Sequence, residues 1–315
     1  MSLFSLVGSL SGSYLNLTFS PSKDFVVTIV EKPGLWMKAG QLEALIQDCR
    51  DIVGRCLAGQ QLDYGLFAPD GGAWNRSVIT LVRRKSTGQA VAFNAMPLLD
   101  VVRSGRDEQV LHLGLVMVDP SERSGGLSWI LYGLTCFALF LRGGLAPLWV
   151  SSVTQVPAVV GMVAETFDKV YPAQQGTDQS FAHRHLAHQI MQSERAAFGV
   201  GEDADFDLDR QIILNAYTGG SDNLKKSFDA AAKHREENYN KFCLKELDYG
   251  RGDDVLQIGL IDIGSGRKYL TRSTPRSAIP QLLLQAAIIL AGSVLSPLMR
   301  WLDADKPFGR LRSTR

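Results

Sequence analysis

The run Val110–Val118 (VLHLGLVMV) stops at Asp119-Pro120 and crosses a polar turn containing Arg123, Ser124, Gly125 and Gly126. Apolar sequence resumes at Leu127 and lasts to Arg142, where Gly143-Gly144 ends it. The first run has the length of a strand and the second that of a helix. A strand that enters a helix through a glycine pair can do more than reverse direction. Glycines let the backbone approach an anion closely, the first amides of the helix face it with a favourable dipole, and an arginine adds a bidentate charge partner. Arg123, Ser124, Gly125, Gly126, Leu127 and Ser128 supply those parts. Purely steric packing also produces such joints, so the surrounding pattern must choose. No Gly-Lys-Ser/Thr follows and no GxGxxG is present, which excludes the P-loop and the dinucleotide fingerprint.

Short strands are expected at Leu15–Phe19 and Val26–Val30. Lys38–Leu57 carries apolar residues at helical spacing (Leu42, Leu45, Ile46, Cys49, Ile52, Val53, Cys56). Ser77–Arg83 and Ala90–Leu98 read as a strand pair joined by a glycine turn, Pro147–Thr154 as another strand, and Pro157–Asp168 as a helix with proline in its first turn. Residues 173–239 are polar, with helical stretches expected at Ala182–Phe198 and Asn223–Glu237, and read as an insertion. Asn240–Leu247 and Val255–Ile263 then read as a β-hairpin. The expected fold class is α+β with a mixed sheet. It divides into a core over 1–172, a helical insertion or lid over 173–239, a closing hairpin over 240–275, and an apolar helix with a basic tail over 276–315.

The chain has 315 residues and a net charge of +1, from 33 Lys+Arg against 32 Asp+Glu, so its overall charge gives no reason to bind nucleic acid. Four scattered cysteines without a CxxC pair fit a reducing, cytoplasmic setting. The N-terminus lacks the basic segment of a signal peptide. Ile279–Met299 is uncharged and mostly apolar, but prolines bracket a run shorter than the roughly 20 residues of a membrane span. Burial against the domain, an oligomer contact such as a homodimer, peripheral membrane contact through 279–299 and, last, a true span stay open.

Arg123-Ser124-Gly125-Gly126-Leu127-Ser128 after a strand resembles the pyrophosphate-binding segment of the GNAT acyltransferase superfamily, Arg/Gln-x-x-Gly-x-Gly/Ala, with serine at the last small position. The order of elements over Ser77–Pro172 is similar to that fold as well. The resemblance implies a phosphopantetheine thioester donor, acyl-CoA or acyl-carrier protein, with no prosthetic group and no metal, and an amine acceptor. It also implies a strand that splays from its neighbour and pairs its backbone with the pantetheine amides through Leu115, Met117 and Val118. The tyrosine that protonates the leaving thiolate in the family corresponds to Phe167, so that acid is missing. The apolar tail and helix and the large insertion suggest a long-chain or lipid-like substrate. A non-catalytic acyl-CoA-binding domain is the alternative.

His112 lies on the strand and has the intrinsic range of a general base; a core histidine is the competing reading, and Glu108, at the strand's start, is the weaker alternative base. Tyr171 stands near the end of the following helix, as a replacement acid or as packing before Pro172. Cys136, inside a helix, reads as a small buried hydrophobe. His183, His185 and His188 lack a recognised ligand spacing and read as a helix face. Leu260–Gly266 (LIDIGSG) looks like a methyltransferase motif, but about fifty residues remain after it, too few for that fold's further strand-helix units, and a hairpin strand and turn is expected.

Overall fold

The computed structural model describes residues 14–57, 62–123, 126–173 and 178–301. It is a mixed α/β protein built on one large sheet. The strands are β1 (Asn16–Phe19), β2 (Phe25–Glu31), β3 (Ser77–Arg84), β4 (Ala90–Arg103), β5 (Arg106–His112), β6 (Leu115–Val118), β7 (Leu148–Thr154), β8 (Asp168–Tyr171), β9 (Asp205–Asp207), β10 (Ile212–Leu214) and β11 (Asp254–Ile261). They are hydrogen-bonded in the order β1-β2-β3-β4-β5-β7-β11-β10-β9, with β6 on β4 and β8 on β11. Helices are α1 (Ala39–Cys56), α2 (Thr135–Arg142, entered through a π-turn over Trp129–Leu134), α3 (Pro157–Thr166), α4 (Phe181–Gln189), α5 (Glu237–Glu246), α6 (Ile263–Lys268) and α7 (Ile279–Trp301).

Alternation along the strands assigns the layers. On β3, Val78 and Val82 belong to one core together with Leu131, Leu134, Phe140 and, from α7, Leu282 and Ile289. Ile79 and Leu81, between them, pack with Leu45, Cys49, Ile52 and Val53 of α1 on the opposite face. A third core joins β4, β5 and β11 to α4. A buried polar bracket fixes α2 over the sheet: Thr135 Oγ1 lies 2.6 Å from Thr80 Oγ1 and accepts from Asn94 Nδ2 at 3.1 Å, while Asn94 Oδ1 accepts from the Thr80 amide. Both partners sit on neighbouring strands, so the helix, and the turn that enters it, are held in one register.

The apolar run Val110–Val118 is two strands rather than one. Leu98 pairs with Leu111 and Ala95 with Leu115, so His112, Leu113 and Gly114 oppose only Met96 and Pro97. That is a β-bulge, and Pro97, having no N–H, cannot repair the ladder there. Gly114 permits it: a Cβ would stand 2.4 Å from the Ala95 carbonyl oxygen and 3.0 Å from Pro97 Cδ.

Several expectations are corrected. Asn240–Leu247 is not a strand but lies mainly in α5, whose Tyr239, Phe242 and Cys243 face the core at helical spacing. The closing hairpin therefore does not form from 240–263. Instead β11 takes β8 as a partner, and Asp168, expected as the last residue of a helix, is the first of that strand. Residues 173–239 do not form a separate helical insertion, because β9 and β10 extend the main sheet. The stretch 223–237 contains only a single 3-10 turn, Asp222–Leu224, before α5. After β11, Asp262 caps the short α6 where a simple turn was expected. Helix α7 buries Leu282 and Ile289 and exposes Leu283 and Leu284. Among the described residues no helix is long and apolar enough to cross a membrane. The N-terminal residues 1–13 and the basic tail 302–315 lie outside the described residues.

Candidate functional site

The bulge turns β6 away from β7. β5 runs parallel to β7 only at Leu111↔Val150 and His112↔Ser151, with a last bond from the Leu113 amide to the Ser151 carbonyl at 2.7 Å. Beyond it β6 pairs with β4 alone. The strands open into a wedge whose vertex is His112, and the wedge is part of a cavity of about 980 Å³. Leu115, Met117 and Val118 of β6 and Ser152, Val153 and Thr154 of β7 line it, and Tyr132 and Val159 border the same cavity.

Which backbone groups face the wedge follows from strand alternation. The Asp119 amide donates to the Val91 carbonyl at 2.8 Å, so Met117 and Leu115 direct their N–H and C=O to β4 in the same way. Val116 and Val118 direct theirs into the wedge. The expectation for Leu115 and Met117 is thus corrected: their backbone groups are spent within the sheet, and Val116 takes their place. The Val118 carbonyl already accepts from Cys56 Sγ at 3.2 Å.

At the mouth, the turn is anchored by its own carboxylates. Asp119 accepts from the Ser121 amide and hydroxyl at 3.0 and 2.7 Å and from Arg55 Nε at 2.5 Å. The Ser121 hydroxyl first, then its amide and Arg55, hold that carboxyl below the usual range. Glu122 is gripped by Arg84 through contacts of 2.6 to 2.8 Å. Both nearby acids are therefore neutralised by other arginines, and among the described residues Arg123 has no carboxylate partner; it is exposed at the cavity edge. Gly126 has φ +63° with open space where a Cβ would be, a left-handed conformation that glycine adopts without cost. Leu127 is buried in the core and its carbonyl accepts from the Ile130 and Leu131 amides. The amides before Ile130 have no acceptor within the helix, as at any helix start. Ser128 is exposed. Ser124 and Gly125 lie outside the described residues.

His112 is 1 % exposed, bonds Ser151 Oγ through Nδ1 at 3.0 Å and stacks on Phe198 at 4.8 Å. Burial pushes its pKa down to about 3, so the ring is neutral at any working pH. Tyr171 is not brought to the cavity. Its hydroxyl donates to the Asp209 carbonyl at 2.7 Å and its ring stacks on His183, which makes it a packing element and corrects its reading as an acid. Phe167 is buried at 4 %. Glu108 pairs with Arg103, Cys136 is buried with its thiol pushed up to about 12, and His183 and His185 bond the Lys169 and Val102 carbonyls.

Residues that sequence reasoning did not single out line the rest of the cavity. Tyr132, on the π-turn, has its hydroxyl pushed up to about 12 by burial and stays protonated. Arg76 and Glu194 form an ion pair between the loop before β3 and the segment after α4. At the far end stand Tyr64, Tyr217 and Asp254. The Asp254 carboxylate accepts from the Tyr217 hydroxyl at 3.1 Å, is 6 % exposed, and has its pKa raised to about 7, chiefly by burial. No local sequence signal marked it: Asp254 follows Asp253 at the end of a polar turn and opens the strand DVLQIGLI.

Fold and site together define a mixed α/β protein with a cavity opened by strand divergence, cationic at one mouth and acidic at the other end. No protein-family model matches the chain, and no curated protein matches it in sequence.

Proposed function

We propose that the protein is an acyltransferase of the GNAT type that moves an acyl group from a phosphopantetheine thioester, on CoA or a carrier protein, to an amine. The observation that carries this reading is the wedge: a strand that leaves its parallel neighbour after His112↔Ser151 and leads to Arg123, which has no carboxylate partner among the described residues, at a glycine turn and helix start. An extended pantetheine arm fits between diverging strands because its amides can replace the missing ladder, here through Val116. Arg123 and the free amides from Gly126 onward would hold the pyrophosphate. The thioester carbonyl then lies near the vertex. Neutral His112, oriented by Ser151, accepts a hydrogen bond from the attacking nitrogen and Tyr132 donates one to the leaving sulfur; as the C–N bond forms and the C–S bond breaks, the amine proton passes to the sulfur, so that amide and free thiol are the products.

Release of free thiol from acyl-CoA donors in the presence of amines tests the reading. Arg123→Ala should weaken CoA binding by about tenfold or more, the scale of losing charge-assisted hydrogen bonds, as read by calorimetry. Unchanged affinity would remove the donor site. A non-catalytic acyl-CoA-binding domain is favoured by one observation, the buried Phe167 at the tyrosine position; binding of CoA without thiol release from any donor would select it.

A further inference from the structure

The acidic end of the cavity is not needed to hold a thioester, and its chemistry points to a different group. Asp254 is nearly fully buried and lines the cavity, yet among the described residues no Lys, Arg or His nitrogen lies within 4.0 Å of its carboxylate. Its chain neighbour Asp253 differs sharply: Arg251 grips it through two bonds of 2.7 Å. A buried carboxylate without a cation is costly to ionise, and a ligand that enters the cavity with a positive charge would offset that cost. Tyr64 and Tyr217 border the same space, and aromatic faces favour an organic cation over a hydrated metal ion.

Position decides what that cation is. On β7 the wedge vertex is opposite Ser151, whereas Val255, the residue after Asp254, pairs with Thr154. At roughly 3.3 Å per residue, Asp254 stands on the order of 10 Å from the vertex. A group held there is too far away to be the nitrogen that attacks at His112.

We propose that Asp254, with Tyr217 and Tyr64, is a recognition site for a non-reacting ammonium group, so that the acceptor is an elongated amine carrying a second cationic centre. The ammonium site stands on the cavity and on Asp254; identifying its occupant as an acyl acceptor rests on the proposed function. The groups facing Asp254 are Tyr217, Tyr64 and Tyr249, the Arg251-paired Asp253, and Lys226 on the cavity wall. Only the ionised carboxylate attracts a cation, so affinity should rise with pH through Asp254's own titration near 7 and level off above it.

Calorimetric titration of the full chain at pH 8 with terminal diaminooctane, octylamine and octanol tests the site. Both amines should bind, with octanol weaker by about tenfold or more, the scale of a charged hydrogen bond. Asp254→Asn should reduce amine affinity by a similar factor and leave CoA affinity unchanged, and Tyr217→Phe should weaken the amines less. A thermal melt establishes that each variant is folded. In the thiol-release assay diaminooctane should be acylated while octylamine, anchored by its one nitrogen, inhibits. Equal affinity for octanol and octylamine, or amine affinity that survives Asp254→Asn, would overturn the site. Acylation of octylamine as fast as diaminooctane would overturn the remote placement. Intact amine binding with no CoA binding would instead remove the acyl-donor reading and leave the ammonium site standing.

Discussion

Asp254→Asn should make the protein more stable at pH 8, by up to about 4 kcal/mol, and raise its melting temperature by several degrees. The magnitude follows from a carboxyl moved from 3.8 to about 7 by burial, at about 1.4 kcal/mol for each tenfold change in the proton equilibrium. The sign follows from linkage. Below 3.8 the group is protonated in folded and unfolded chains alike and contributes nothing. Between 3.8 and 7 the unfolded chain ionises and the folded one resists, so stability falls as pH rises, and above 7 the full penalty remains. His112 acts oppositely. Its folded value of about 3 lies below the ordinary 6.5, so the unfolded chain takes up a proton first and stability falls as pH drops from 6.5. In the wild type the two slopes oppose each other between about pH 4 and 6.5. In Asp254→Asn the His112 slope stands alone, and stability should climb with pH across that window. Denaturant titrations at pH 5 and pH 8 measure both; a variant no more stable than wild type at pH 8 would show that Asp254 is not held as an isolated buried acid.

The second large effect is at the bulge. Gly114→Val should destabilise the protein by about 3 kcal/mol or more, above the usual range for a surface change and at the upper end for overpacking. The new side chain would meet a backbone carbonyl and a proline ring, neither of which can move as a flexible side chain can. Any relief comes from lifting β6 off β4, which closes the wedge, so ligand binding should fail even in the fraction that stays folded. Gly126→Ala is the control. Its Cβ meets nothing, and the cost is only the left-handed backbone, about 1–2 kcal/mol. Equal destabilisation by the two substitutions would contradict the bulge as the origin of the splay.

These two residues also mark what the sequence could and could not convey. Helix α1 was legible because its apolar residues repeat at helical spacing, and strands β2, β3 and β7 because each is a short run rich in β-branched residues. The glycine turn was legible because its chemistry is local. The division of Val110–Val118 into β5 and β6 was not, since it depends on Pro97 and Gly114 meeting across two strands. Helix α5 was misread through its window: a segment starting at Asn240 omits Tyr239, whose spacing to Phe242 and Cys243 is helical. The stretch before it lacks an apolar stripe and is held by tertiary contacts, such as Lys225 Nζ to the Gly250 carbonyl at 2.7 Å. Asp254 was passed over as part of a polar turn because nothing local distinguishes it from Asp253. Their difference is a partner: Arg251 grips Asp253, whereas Asp254 lines the cavity with the Tyr217 hydroxyl and, among the described residues, no cation beside it.

The structure of the protein crystallised with CoA is the most direct test of the central claim. The account predicts pyrophosphate density at Arg123 and Gly126, and a pantetheine arm running between β6 and β7 beside Val116 with its sulfur near His112. CoA bound elsewhere on the surface, or a wedge that stays empty at saturating CoA, would contradict it.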